Sequence, residues 1–393
     1  MDSPHRSELE VVLQAIQAAT AISLDVLHSL QQPPSPTSTT TAATTTTSPL
    51  HITKPDLSPV TVADLAIQTL LLTVLSSLFP THAFIAEESS AELRASPALL
   101  TRVLDLVRLH GSQNPLCAPS TATLDPPAVL ALLDRAATPS PSPTDPNTPT
   151  FIIDPIDGTQ AFLRGHHFAI NVALVTGAVQ TLGVVSLPLL SPALAVRGPD
   201  PLTDELVSPP GTGTVLFAVR SHGAFLLPLS SPTAAPVRLP TLTPPPASAL
   251  RSVTATPSKV ASANPALHAA VSSRLGAAYP SVDLTGWVPR WCALALGLGD
   301  VCVWVYSKRE RFGKVWDHAG AMLIFEEVGG VVTDVDGKGI DVGGGRRTMG
   351  ANFGFVAAAG GALHAEVLGA VRDAMREEGL GGWLDRGEGG GSP

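Results

Sequence analysis

The segment FIIDPIDGTQAFLRG, residues 151–165, carries two aspartates three positions apart, Asp154 and Asp157, where an apolar run gives way to a polar one. Three further acidic places share that setting at the expected end of an element. They are Glu87–Glu88 after HAFIA, Asp317 ahead of an apolar helical pattern, and Asp56 in KPDLSPVT. Gathered carboxylates repel, so a set that converges on one cleft needs cations. Hard oxygen ligands with water in the remaining positions suit Mg²⁺. Two such ions a few ångströms apart form a clamp for hydrolysing phosphate esters. The DPIDGT stretch offers other parts of that machine. Pro155 stiffens the turn, and Gly158 lets the backbone approach a ligand closely. If a helix starts there, the N–H groups of Gly158 and Thr159 would cradle a phosphate. Thr159 also brings a hydroxyl that can pass a proton to a carboxylate.

Each piece has an ordinary account as well. An Asp-Pro at a strand end is usually a turn. A Glu-Glu pair after a strand is mostly a solvated loop. A helix-initial aspartate such as Asp317 is more often an N-terminal cap than a ligand. His166 and His167 are neighbours, so on a strand they point to opposite faces and do not share a metal. The joint occurrence of the acidic pieces, each in its own specific context, is what favours chemistry.

The rest of the chain must position them. Its 393 residues allow two domains or one composite one, and 44% hydrophobic residues suffice for a sizeable core. A formal charge of −9 gives no support to a nucleic-acid reader, which would normally carry a basic stripe. The three cysteines, Cys117, Cys292 and Cys302, are odd in number and lack metal-type spacing, which fits reduced buried thiols in a cytoplasmic protein. Glu8, Glu10 and Asp25 interrupt the N-terminal apolar pattern, so no secretory leader is expected, and no stretch reads as a membrane span.

Helical periodicity predicts helices over 8–30 and 61–78, with a mobile Pro/Ser/Thr tract at 32–50 between them. A short strand is expected at 82–86 and a partly disordered insertion over 111–149. FAINVALV and QTLGVVSLP read as paired strands joined around Gly177. VLFAVR and GAFLLPL read as a second hairpin, and PVRLPTLTPPPAS as a linker or exposed loop. From about residue 253 strands and helices alternate, with helices at 265–275, 291–299, 318–327 and 363–378. That order points to a layered α/β architecture with mixed sheets.

DPIDGT at Asp154–Thr159, WDHAGAMLIFEEVGG at Trp316–Gly330 and AEESS at Ala86–Ser90 resemble the signature blocks of the lithium-sensitive, magnesium-dependent phosphatases, which include inositol monophosphatase and fructose-1,6-bisphosphatase. DLSPVTVADLAIQ, FLRG and DVGGGRR look most like the 3'(2'),5'-bisphosphate nucleotidases of that superfamily, which remove the 3'-phosphate of adenosine 3',5'-bisphosphate, a by-product of sulfate assimilation. The resemblance implies an αβαβα sandwich. An N-terminal α+β part, residues 1–200, would carry the metal site, and a C-terminal α/β part, residues 201–393, would complete it. It implies two or three Mg²⁺ held by Glu87, Asp154, Asp157, Asp317 and the Ile156 carbonyl. Asp56 with Thr159 would activate water, and Gly158 and Thr159 would hold the scissile phosphate. Relatives occur as monomers and dimers. Ala86 stands where glycine is usual. More consequential, GWVPRW at Gly286–Trp291 replaces a DSQxKY-like segment. Arg290 then keeps a positive charge for a phosphate, Trp287 offers a stacking platform or packs in the core, and Lys308, Arg309 and Arg311 supply charge from a nearby loop. An inositol phosphate is the alternative substrate. A non-catalytic homologue is disfavoured because none of the matched positions is lost.

Overall fold

The computed structural model describes residues 4–31, 51–53, 59–138, 147–196, 201–256, 258–343 and 347–384. Asp56 and the tract at 32–50 lie outside them. Within them, five layers alternate. An outer helical layer is formed by Arg6–Gln31, Val62–Leu78, Pro97–Ser112 and Pro126–Ala137. It covers a seven-stranded sheet in the order Ala83–Ala86, Thr150–Asp157, Ala169–Thr176, Val179–Leu187, Thr214–Val219, Gly223–Pro228, Val237–Arg238. Helices Trp287–Ala295 and Ala319–Glu327 form the middle layer. A five-stranded sheet follows, in the order Ala278–Asp283, Arg251–Thr254, Val301–Trp304, Phe355–Ala359, Gly330–Thr333, and helices Pro265–Leu275 and Gly361–Glu377 close the stack.

The strands of the first sheet are apolar on both faces because both faces are covered. Phe151, Ile153, Ile170, Val172 and Leu174 point to the outer helices, while Ile152, Ala169 and Ala173 point to the middle layer. Helix Ala319–Glu327 presses closely on this sheet. A Cβ built on Gly183 would overlap the Gly320 backbone, and one on Gly320 would overlap Asn171 and Val172, so the close approach requires glycine at both positions. Asn171 Nδ2 donates to the Trp316 carbonyl at 2.6 Å and Gln180 Nε2 to the Ala319 carbonyl at 3.1 Å, fixing the turn that carries Asp317 against the sheet.

Several expectations are corrected. The first sheet takes strands from both sides of the expected boundary, as far as Arg238, so the break between the sheets falls between Arg238 and Arg251. Within 111–149, helices Ala118–Ala122 and Pro126–Ala137 are formed, the second capped by Asp125 and burying Val129 and Leu133. Apolar spacing at 129, 133 and 136 carried that helix despite the Pro-rich flank. Part of the expected linker, Val237–Arg238, is the edge strand of the sheet. Helix Arg6–Gln31 is long and apolar enough by composition to cross a membrane, contrary to the sequence reading. Here its apolar face, including Val12, Ile16, Ala19 and Ile22, is buried against helix Val62–Leu78 and the sheet, as in a core helix.

Candidate active site

The strand Thr150–Asp157 does not stop at Asp154 but runs on to Asp157. In a regular strand, residues three apart point to opposite faces. Here the pairing with Ala169–Thr176 slips by one, from Asp154 opposite Asn171 to Asp157 opposite Ala169. That bulge, at a proline that has no N–H to give the ladder, resets the alternation. Both carboxylates consequently reach one side, and oxygens of Asp154, Asp157 and Asp317 lie within 4.8 Å of one another. Strand Ala83–Ala86 runs parallel beside this one, Ala86 opposite Ile153, so Glu87 emerges next to Asp154 at the carboxyl ends of the pair. Asp317 arrives from the other half in the turn Val315–Asp317; the N-cap of the following helix is His318, so Asp317 does not serve as its cap.

A cavity of about 630 Å³ opens over this group. Its wall includes Glu87, Asp154, Ile156, Asp157, Gly158, Thr159 and Asp317, together with Thr285, Arg311, Lys314, Trp316 and Arg347. Burial, then repulsion from Glu87, Asp157 and Asp317, pushes the Asp154 carboxyl well above the usual range. Burial and the charges of Asp157 and Glu87 do the same to Asp317. Asp157 is pushed up to about 7 by burial, and held from rising further by the Val288 N–H and the charge of Arg290. Asp154 is 1% exposed and its Oδ1 has no hydrogen-bond partner. A buried carboxylate oxygen without a donor, inside a set of mutually repelling hard oxygens, fits a divalent cation such as Mg²⁺. Gly158, with φ +87°, turns the chain into the short helix Thr159–Phe162, and Thr159 Oγ1 donates to the Ile156 carbonyl at 3.2 Å.

The segment GWVPRW has a different role from the one its position suggested. It forms the first turn of helix Trp287–Ala295, which starts four residues before the expected Trp291. Its N-terminus faces Asp157, and the Val288 N–H donates to Asp157 Oδ2 at 2.6 Å. Arg290 is not a cavity residue. It is 1% exposed, donates to the Leu284 and Thr285 carbonyls at 2.8 and 2.6 Å, and lies 4.4 Å from the ring centres of both Trp287 and Trp304. The weakly hydrated guanidinium tolerates that stack, whereas it cannot there touch a substrate. Trp287 packs on Trp291, Trp304, His318 and Phe355, and does not line the cavity. Lys308 is exposed and also off the cavity wall. Among the described residues, the cations that reach the wall are Arg311, Lys314 and Arg347.

Residues 8–376 match the inositol monophosphatase family. A 3'(2'),5'-bisphosphate nucleotidase of Emericella nidulans is 31% identical over 83% of this chain and 91% of its own length. The chain belongs to the inositol monophosphatase family. A 3'(2'),5'-bisphosphate nucleotidase of Schizosaccharomyces pombe is 29% identical, over 78% of this chain and 82% of its own. Among solved structures, a Thermotoga maritima IMPase superposes with a TM-score of 0.54 at 17% identity, over 94% of this chain and 99% of that one, and shares the fold. The layered arrangement described above is thus that of an inositol monophosphatase-family protein.

Three residues at or beside this cavity were missed in the sequence. Lys314 was overlooked because an isolated lysine before a hydrophobic turn carries no pattern. Arg347 is in the sequence only the end of DVGGGRR, and its reach to the site depends on tertiary contact. Asp64 is 1% exposed near the start of helix Val62–Leu78, and its charge acts on Asp154. An aspartate among the apolar residues of VADLAIQTLLL was the available signal for it.

Proposed function

We propose that this chain is a Mg²⁺-dependent phosphomonoesterase that hydrolyses the 3'-phosphate of adenosine 3',5'-bisphosphate to AMP and inorganic phosphate. The observation that carries the reading is the meeting of Asp154, Asp157 and Asp317 in one cavity with Thr159, Gly158 and cationic side chains. The names of the curated relatives support the nucleotide. Glu87, Asp154, Asp157, Asp317 and the Ile156 carbonyl would hold two or three Mg²⁺. When bound, the metal supplies hydroxide near neutral pH and compensates charge on the phosphoryl group and the leaving oxygen.

The chain's own groups do the rest. Gly158 and Thr159 present backbone N–H groups to the scissile phosphate. Thr159 Oγ1 takes a proton from the attacking water and passes its own to Asp56. The water oxygen bonds to phosphorus, the bond from phosphorus to the 3'-oxygen breaks, the leaving 3'-oxygen takes a proton from a solvent water to become the ribose hydroxyl, and the proton on Asp56 returns to solvent. With Arg290 and Lys308 off the wall, Arg311 and Lys314 are the side chains we assign to the second phosphate.

Purified protein with Mg²⁺ should release phosphate from adenosine 3',5'-bisphosphate, with kcat/KM at least tenfold above that for inositol phosphates, and lithium should inhibit it. A smaller ester such as an inositol phosphate is the second reading, favoured by the burial of Arg290 and by Trp304 being 0% exposed. Robust hydrolysis of inositol phosphates with none of the nucleotide would establish that second reading. Asp157→Asn should cost about 10³-fold in kcat; activity that survives this change at saturating Mg²⁺ would remove Asp157 from the metal site.

A further inference from the structure

The turn that presents Glu87 is gripped from both halves of the molecule. From the N-terminal side, Gln68 on helix Val62–Leu78 is 0% exposed, and its amide meets the Glu88 main chain twice. Nε2 donates to the Glu88 carbonyl at 2.7 Å, and Oε1 accepts from the Glu88 N–H at 2.8 Å. From the C-terminal side, Arg347 donates from Nη1 to the Ala86 carbonyl at 2.5 Å and from Nη2 to the Glu87 carbonyl at 2.9 Å. Nη1 also reaches the Ala137 carbonyl at 3.1 Å, at the end of helix Pro126–Ala137. The same guanidinium lies over the Trp316 ring, 4.5 Å from its centre, one residue before Asp317.

Main-chain groups of three consecutive residues, 86 to 88, are therefore held by two side chains. Such contacts leave the turn little freedom, so the direction of the Glu87 side chain is set with it. A planar fork suits this task because it meets several carbonyls at fixed angles, whereas an ammonium acts as a point charge. Arg347 ties the turn of Glu87 to the turn of Asp317, two segments that come from opposite halves of the sequence and face one cluster.

We infer that Gln68 and Arg347 are positioning residues that set divalent-cation affinity by fixing the Glu87 turn, Gln68 against helix Val62–Leu78 and Arg347 against the segment that carries Asp317. The inference rests on the proposed metal role of Glu87 and deepens it. Groups that orient metal ligands characteristically change metal affinity by about 10–100-fold when removed. The two side chains come from opposite halves of the chain, Gln68 from a helix and Arg347 from a loop, so their loss should produce the same signature from independent sites.

The experiment uses the full chain without substrate. Mn²⁺ binding is followed by electron paramagnetic resonance and Mg²⁺ binding by calorimetry, for wild type, Arg347→Lys and Gln68→Ala. Both variants should bind the cation at least tenfold more weakly. Steady-state assays should show the Mg²⁺ concentration for half-maximal rate rising in parallel, with most of kcat regained at high Mg²⁺ and KM for the phosphate ester changing less than twofold. Arg347→Lys retains the charge, so a loss there isolates the fork geometry; Gln68→Ala keeps the question open to refutation if an Arg347 variant fails to fold. Unchanged cation affinity in both soluble variants would overturn the inference. So would a raised KM with unchanged affinity in Arg347→Lys, which would make Arg347 a substrate contact. A wild type that binds neither cation would instead remove the metal reading itself.

Discussion

Asp157 sits where three constraints meet: a strand bulge, a helix N-terminus and two neighbouring carboxylates. The Val288 N–H holds one of its oxygens at 2.6 Å, and that contact depends on the residue before the helix. A Cβ on Gly286 would come within 2.5 Å of Asp157 Oδ2 and within 2.9 Å of Pro289. Neither neighbour can yield without moving the carboxylate or the first helical turn. Gly286→Ala should therefore lower kcat/KM by about 10–100-fold, the cost of disturbing the support of a metal ligand. Its thermal unfolding should shift only a little. Full activity in a folded Gly286→Ala enzyme would mean that the helix N-terminus does not orient Asp157.

At the scale of elements, the middle layer is held together by polar groups inside an aromatic cluster. Arg290 bonds the chain just before its own helix and lies against two indoles that touch each other edge to face. Removing Arg290 leaves two carbonyls without their donor and a void beside two indoles, at about 3–5 kcal/mol. Arg290→Ala should lower urea stability by that order, while a soluble fraction keeps its preference for bisphosphate over monophosphate nucleotides. Loss of that preference with unchanged stability would restore Arg290 as a substrate contact.

Nearby, His268 on helix Pro265–Leu275 accepts the Val305 N–H at 2.9 Å through Nε2. Burial, then the charge of Arg290, lowers its pKa from 6.5 to about 3. The unfolded chain therefore takes up the proton first as pH falls. The stabilisation from neutral His268 is complete above about 6.5 and is lost progressively as pH drops towards 3, by about 1.4 kcal/mol per unit. Between pH 7 and 4.5, urea titrations should show wild type losing about 2–3 kcal/mol more than His268→Gln. Equal losses in the two proteins would mean that His268 is not held neutral.

For the whole molecule, the decisive fact is that the acidic cluster spans both halves. Asp154 and Asp157 belong to the seven-stranded sheet, while Asp317 enters from the middle layer. A cation bound there is bound only by the assembled protein, so it should stabilise by mass action. Mg²⁺ at a hundred times its dissociation constant should add about 2.7 kcal/mol to unfolding stability, and chelation should reverse it. Asp317→Asn should abolish most of that gain while leaving the metal-free stability equal or higher, because one repelling charge is gone. A Mg²⁺ effect of the same size in that variant would place the cation elsewhere.

How much of this was legible in the chain depended on how local the cause was. The acidic pieces could be read because each lies in its own short context, and apolar periodicity marked most helices and strands. Helix Pro126–Ala137 was hidden by its Pro-rich flank, although its apolar spacing was present. By itself, the sequence determined the layered α/β class and picked out Asp154, Asp157, Asp317, Glu87 and the glycine and threonine after Asp157, which the fold brings to one cavity. It did so because strand alternation, helix period and turn chemistry act over a few residues. Only the tertiary structure decided that a bulge brings Asp154 and Asp157 to one side, that Arg290 is consumed by packing, and that Arg347 reaches back to residues 86 and 87. Those outcomes follow from strand register and from which surfaces become buried, and both are set by contacts between segments far apart in the chain.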